Sequence, residues 1–132
     1  MNFTGRIALI TGASQGIGKA CAVALAEAGA DIALASRNLE KLGSVAQEIQ
    51  QTGRKALAVS LDTSDPAAVK AGISKVLAEF GKIDILVNNA GVNMSLRSHF
   101  LEISPGAFDR VLQTNVRGSF FLAQRVAQDR NY

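Results

Sequence analysis

Apolar positions along the chain come in two alternating textures. Four short apolar runs, Ile7 to Ile10, Ile32 to Ala35, Ala56 to Leu61 (interrupted only by Ser60) and Ile85 to Val87, are separated by stretches in which apolar residues recur every three or four positions. The runs have strand length and no polar alternation, which predicts strands buried on both faces. The intervening stretches predict helices. Ile17, Ala20, Cys21, Ala24, Leu25 and Ala28 form one stripe, stopped by Gly29. Asn38 caps a second helix with Leu39, Leu42, Ala46 and Ile49 inward, ended by Gly53. Asp65-Pro66 opens a third, whose apolar face is Val69, Ile73, Val76, Leu77 and Phe80, with Gly81 as stop. A polar loop runs from about 92 to Ser104. Ser104-Pro105 then opens a last helix carrying Phe108, Val111, Leu112 and Val116, which reads as largely buried.

Strand and helix alternate four times, so the expected class is α/β, a parallel sheet covered on both faces. A Rossmann-like doubly wound sheet places the strands in the order 3-2-1-4, with ligands at their carboxyl ends near the 1/4 switch point. No linker, repeat or low-complexity tract interrupts the 132 residues, which reads as one domain over 1–132 ending after the fourth strand and helix.

Composition narrows the function classes. Apolar residues make up 48% and charged residues 19%, enough for a packed core and against disorder. The net charge of +3 comes from scattered Lys and Arg, not from a stripe, so no nucleic-acid partner is expected. Cys21 is the single cysteine and His99 the single histidine, and no spacing suggests a metal. No stretch is long and apolar enough for a membrane span, and the opening residues lack the layout of a secretion signal. A cytoplasmic protein is the expectation.

The chemistry-bearing segment is Thr11-Gly12-Ala13-Ser14-Gln15-Gly16-Ile17-Gly18, between the first strand and first helix. Gly12 permits the tight turn, Gly16 lets a pyrophosphate approach the backbone, and Gly18 lets helix and strand pack closely. Free N–H groups at the helix start attract phosphate. At the end of the second strand an NAD site carries an acid; here stand Ser36 and Arg37, which suit a 2′-phosphate. NADP(H) is therefore favoured over NAD(H). Arg37 could alternatively be a solvent-facing turn residue.

The TGxxxGxG spacing, with Asn88-Asn89-Ala90-Gly91 after the fourth strand, Asp62 after the third and Asn115 in the last helix, resembles the short-chain dehydrogenase/reductase family. The opening is similar to its 3-oxoacyl-carrier-protein reductases and sugar dehydrogenases. The resemblance runs along nearly the whole chain and implies hydride transfer between a nicotinamide and a carbonyl or alcohol. It implies a cofactor site drawn from Gly12, Ser14, Gln15, Gly16, Ile17, Gly18, Ser36, Arg37, Asp62, Thr63, Asn89, Ala90 and Gly91. Asp62 would bond the adenine amino group, and Asn89 to Gly91 would line the adenosine ribose side. On local grounds Asp62 could equally cap the next segment, and Asn88 and Asn89 could serve the turn. Gln15 is neutral where many NADP-binding relatives carry a basic residue.

The family's Tyr and Lys form a YxxxK motif on a fifth helix, and its Ser follows a fifth strand. Of the catalytic set only Asn115 has a match, at the position that supports a water in the proton relay; it could also be a helix-capping or solvated amide. Tyr132 has no Lys four places on and reads as a terminus residue, His99 as a surface side chain, and Ser14 and Ser95 lack a neighbouring base. This chain alone is expected to bind a dinucleotide better than to turn it over. A small carbonyl or alcohol substrate would be handled only when a further segment completes the site, and the 92–104 loop is the one local candidate for its wall. The fourth strand and last helix, with Phe120, Phe121 and Leu122, are expected to present unpaired apolar surface and so a homo-oligomer. The competing readings are a catalytically inactive nucleotide-binding or assembly module and a fragment of a longer enzyme.

Overall fold

The computed structural model describes residues 2–91 and 100–129. β1 (Ile7–Thr11), β2 (Asp31–Ser36), β3 (Ala56–Ser60) and β4 (Ile85–Val87) form one sheet in the order β3-β2-β1-β4. Every neighbouring pair is parallel, with Ile7 opposite Asp31, Ala8 opposite Ile85 and Ile32 opposite Ala56. Between them run α1 (Gly16–Glu27), α2 (Leu39–Gln51) and α3 (Pro66–Phe80). After β4 come a 3-10 turn (Phe100–Glu102), α4 (Pro105–Leu112), a π-helical turn (Gln113–Gly118) and α5 (Ser119–Gln128). The expected Rossmann-like class and strand order hold.

Alternate residues of the central strands feed two separate cores. Ala8, Ile10, Ile32 and Leu34 face Ala22 and Ala26 of α1 and Leu42, Val45 and Ile49 of α2. Leu9, Ala33, Ala35 and Val59 face Val69, Ile73 and Val76 of α3, and Leu122 and Val126 of α5. Leu9, Ile10, Ile32 and Leu34 are fully buried, each contributing about 1.5–3 kcal/mol of apolar burial. Burial on both faces holds for β1 and β2 only. β3 and β4 are the sheet edges, and Ala56, Leu57, Ala58 and all of β4 are half-buried.

Three helix starts are built as the side chains dictate. Asn38 Oδ1 accepts from the Lys41 N–H at 3.1 Å, Asp65 Oδ1 from the Ala67 N–H at 3.0 Å, and Ser104 Oγ from the Ala107 N–H at 3.1 Å. Pro66 and Pro105 occupy the first turns of their helices, where a missing N–H costs nothing.

Three expected faces turn out rotated. In α1 the buried residues are Gly18, Ala22 and Ala26, whereas Ala20 and Ala24 are exposed and Ile17 is 74% exposed. The sheet approaches α1 so closely that its inward stripe is made of the smallest residues, and the bulky ones lie to the side. Leu39, the first residue of α2, is exposed, and Val45 joins Leu42, Ala46 and Ile49 in the core. The last helix is not largely buried. Phe108, Leu112, Val116 and Phe120 are exposed, and only its end, through Leu122 and Val126, lies on the sheet. Leu122, expected at an open surface with Phe120 and Phe121, is fully buried.

Candidate dinucleotide site

β1 runs straight into the glycine turn, and Thr11 is its anchor. The Thr11 hydroxyl is buried and accepts from the N–H groups of Asn89 (3.0 Å) and Ala90 (2.9 Å). Asn89 Nδ2 in turn donates to the Gly12 carbonyl at 3.3 Å. Two loops at the carboxyl end of adjacent strands are thereby stitched together.

The turn itself requires glycine. Gly16 has φ +59° with open space above it, the left-handed backbone that only glycine adopts freely. Gly18 is a matter of room: a Cβ there would lie 2.2 Å from the Gly12 carbonyl oxygen. Gly16, Ile17 and Gly18 begin α1, and helix geometry leaves first-turn N–H groups without an intrahelical acceptor. No side chain caps this end. An open concavity with bare amides and the positive end of a helix is what a diphosphate needs.

These elements surround a cavity of about 480 Å³ at the carboxyl ends of the strands. One wall is the glycine turn, with Gly12, Ser14, Gln15, Gly16 and Ile17. Ser36 and Arg37 after β2 form a second, Asp62 and Thr63 after β3 a third, and Asn89, Ala90 and Gly91 after β4 a fourth. Twelve of the thirteen residues expected at a cofactor site therefore meet in one place; Gly18 lies behind the turn. Ile17 is exposed because it stands at this rim, which explains why it left the helix stripe.

Among the described residues Asp62 is the one carboxylate on the lining. Its Oδ1 accepts from the Ser64 hydroxyl (2.6 Å) and the Ser64 N–H (2.9 Å). The hydroxyl bond is the main reason its carboxyl titrates below the ordinary 3.8; partial burial works against this, while the Ser64 N–H and the nearby Arg37 charge add to it. The turn-forming role and a place on the cavity wall coexist in this residue.

Asn115 sits in the π-helical turn beside the β4 exit, where a Cβ on Gly91 would lie 3.3 Å from its Oδ1. Its side chain is exposed, contrary to the buried helix expected for it. The turn is clamped at three points: Gln113 Nε2 lies 3.5 Å from the Ser64 carbonyl, Asn88 Nδ2 donates to the Ser119 carbonyl at 2.8 Å, and Gly118 passes so close to the Thr63 carbonyl that a Cβ would sit 2.5 Å from it. Single-turn π segments inside helices recur at functional sites.

Thr11, Ala35, Asn38, Lys41, Leu61 and Thr114 also line the cavity, and none of them was among the expected cofactor contacts. Thr114 had a usable signal in its neighbour Asn115. Lys41 had none, since it lies inside a helix. Ser95, Arg97, Ser98, His99 and Tyr132, and the 92–99 part of the proposed substrate wall, lie outside the described residues. Among the described residues no cluster of His, Cys, Asp and Glu could hold a metal, and no helix is long and apolar enough to cross a membrane.

Parallel strand order, two-sided helical cover and a glycine turn at the switch point define a Rossmann-like α/β protein. The family model for short chain dehydrogenase matches residues 6–130, and the chain belongs to that family. It is 40% identical to 2-dehydro-3-deoxy-D-gluconate 5-dehydrogenase of Dickeya dadantii, covering 96% of this chain and 49% of that protein. It superposes with TM-score 0.89 and 36% identity on a metagenomic short-chain oxidoreductase in complex with NADP, over 96% of this chain and 57% of the other. A 3-ketoacyl-(acyl-carrier-protein) reductase from Brucella melitensis complexed with NADH gives TM-score 0.89 and 37% identity, over 97% of this chain and 51% of the other. The chain thus spans about half the length of the relatives it matches. Neighbours with both dinucleotides share its fold.

Proposed function

We propose that these 132 residues act as one dinucleotide-binding unit, the nucleotide half of a short-chain dehydrogenase/reductase, and that it prefers NADP(H). The observation that carries the reading is the corner of the cavity beyond β2. Ser36 and Arg37 stand there, and the only lining carboxylate among the described residues, Asp62, is held by Ser64 on the next wall. A 2′-phosphate meets a guanidinium at that corner, and no carboxylate follows β2 where an NAD site carries one. The pyrophosphate rests on the glycine turn at Gly16 and Ile17, and Asn89 to Gly91 border the ribose side.

When bound, the nicotinamide supplies hydride exchange with a carbonyl or alcohol. The residues here bind and orient it; Asn115 occupies the relay-supporting position. No YxxxK motif occurs in the sequence, so turnover requires residues beyond those present. The test is titration with NADPH, NADP+, NADH and NAD+. Binding should saturate, shift the backbone amide signals of Gly12 to Gly18, and be tighter for the phosphorylated pair. Millimolar nucleotide that leaves those signals unmoved would end this reading.

A second reading, an assembly or nucleotide-binding module without turnover, is favoured by one observation: the exposed stripe Phe108, Leu112, Val116 and Phe120 along the last helical rod. Exposed apolar patches of this kind mark interfaces. We infer that the chain self-associates through this stripe or the β4 edge. An assay for carbonyl-dependent NADPH oxidation separates the readings: turnover in the full protein supports the enzyme, and binding without turnover supports the module.

A further inference from the structure

We propose that Lys41 is a second cationic contact for the 2′-phosphate, held over the glycine turn by Gln15. The proposal rests on the NADP(H) reading and extends its phosphate site across the cavity from β2 to the first loop.

Three observations carry it. Lys41 lines the same cavity as Ser36 and Arg37. Its Nζ donates to Gln15 Oε1 at 3.2 Å, spanning the space between the start of α2 and the glycine turn. Among the described residues no carboxylate lies within ion-pair distance of Lys41, and a neutral amide oxygen is the partner that its ammonium has. A lysine ammonium has three donors. One is spent on Gln15, and two remain for an anion.

The position of Lys41 in its helix argues against a merely solvated lysine. Asn38 is the N-cap, so Lys41 is the third helical residue, and its N–H is the one that the Asn38 side chain caps. At this position a Glu or Gln would complete a reciprocal capping box. A cation there faces the positive end of the helix, which is mildly unfavourable. Glu40, the neighbouring acid of the same turn, does not line the cavity. A local rule is broken at the residue whose side chain crosses to the site, and such departures concentrate where function requires them.

Arg37 and Lys41 then approach one corner from two elements. Arg37 follows directly from β2, so the sheet places it; Lys41 comes from α2, and its long flexible stem needs the Gln15 amide to fix its head. Gln15 is a positioning residue. It contributes no charge but sets where the charge is.

The experiment uses 2′,5′-ADP and 5′-AMP, which differ only in the 2′-phosphate, with affinities measured by calorimetry. The chain should bind 2′,5′-ADP at least about tenfold more tightly than 5′-AMP. Lys41→Gln should lower that ratio about fivefold and leave 5′-AMP within about twofold, as expected for one exposed charge contact. Lys41→Arg should retain most of the ratio. Gln15→Ala should lower it about twofold to threefold through loss of positioning alone. The melting temperature of Lys41→Gln should be unchanged or slightly raised, because the substitution relieves the helix dipole; a structural lysine would lower it. If the wild-type chain does not discriminate the two ligands, the NADP(H) reading fails. If it discriminates, Arg37→Gln abolishes this and Lys41→Gln does not change it, the Lys41 contact alone is overturned. A ratio that falls with Lys41→Gln but not with Gln15→Ala overturns the positioning role of Gln15.

Discussion

Thr11 shows how one hydroxyl sets the shape of the cavity. It accepts from two consecutive N–H groups after β4, so an apolar isostere takes the acceptor from the Ala90 N–H and leaves the Asn89 N–H only the Val87 carbonyl at 3.1 Å. Thr11→Val should destabilise the chain by about 1–3 kcal/mol, read as a lower thermal midpoint, and should loosen the Asn89 to Gly91 wall. Gly18→Ala is the complementary experiment. Its Cβ would meet the Gly12 carbonyl, which is backbone and cannot swing aside. A loss of about 1–3 kcal/mol is expected, with weakened nucleotide binding in the same titration. Much of this site was legible beforehand, because glycines at fixed spacing and the residues that follow strands announce themselves in order along the chain. Lys41 was not legible. Its role depends on reach across space, and a helix position carries no sign of where a flexible side chain ends.

The elements show where apolar patterning succeeds and where it misleads. Strand order and helix starts were legible, since runs, caps and stops are local. The facing of α1 was not, because close approach to the sheet rewards small residues and ordinary hydrophobicity points to large ones. The seam between β1 and β4 has its own electrostatic lock. Asp84, just before β4, has a side chain only 11% exposed; its Oδ2 accepts from the Ile7 N–H at 2.9 Å and lies 3.0 Å from Lys82 Nζ. Burial pushes this carboxyl up, but the Ile7 N–H, Lys82 and Arg6 together outweigh it and hold it below 3.8. A carboxyl depressed in the folded state stabilises fully above its unfolded value and loses that contribution as pH falls through the folded value. Acid unfolding should therefore steepen below about pH 4, and Asp84→Asn should flatten that part of the stability profile while lowering stability at neutral pH. A variant whose profile matches wild type below pH 4 would show that the seam is not held by this charge.

On the scale of the whole molecule the two sheet faces are unequal. One is closed by α1 and α2, and the other by α3 and the end of α5, beyond which the last helical rod carries its apolar stripe outward. Phe120 and Phe121 meet edge to face with centroids 5.1 Å apart, and the Arg117 guanidinium lies 4.9 Å from the Phe121 ring centre. Val116→Glu combined with Phe120→Glu should shift the sedimentation profile toward monomer without lowering the melting temperature, because neither residue belongs to a core. A profile unchanged by the pair would move the interface to the β4 edge. Phe120 and Phe121 are open as the sequence led us to expect, whereas Phe108, Leu112 and Val116 were read as a buried face, because periodicity reports that a helix has an apolar side, not which layer covers it. The π-helical turn gives this rod a residue to spare. One helix serves two clients, Thr114 at the cavity and Leu122 with Val126 on the sheet, and the wider turn sets the angular phase between them. An in-frame deletion of one residue within 113–118 would tighten the coil to α geometry and leave Leu122 and Val126 near their present phase, because the lost residue and the tighter winding, each worth about 100°, nearly cancel. Single-codon loss there should therefore lower the thermal midpoint far less than the same loss within 119–121, which would turn Leu122 and Val126 away from the sheet by about 100°.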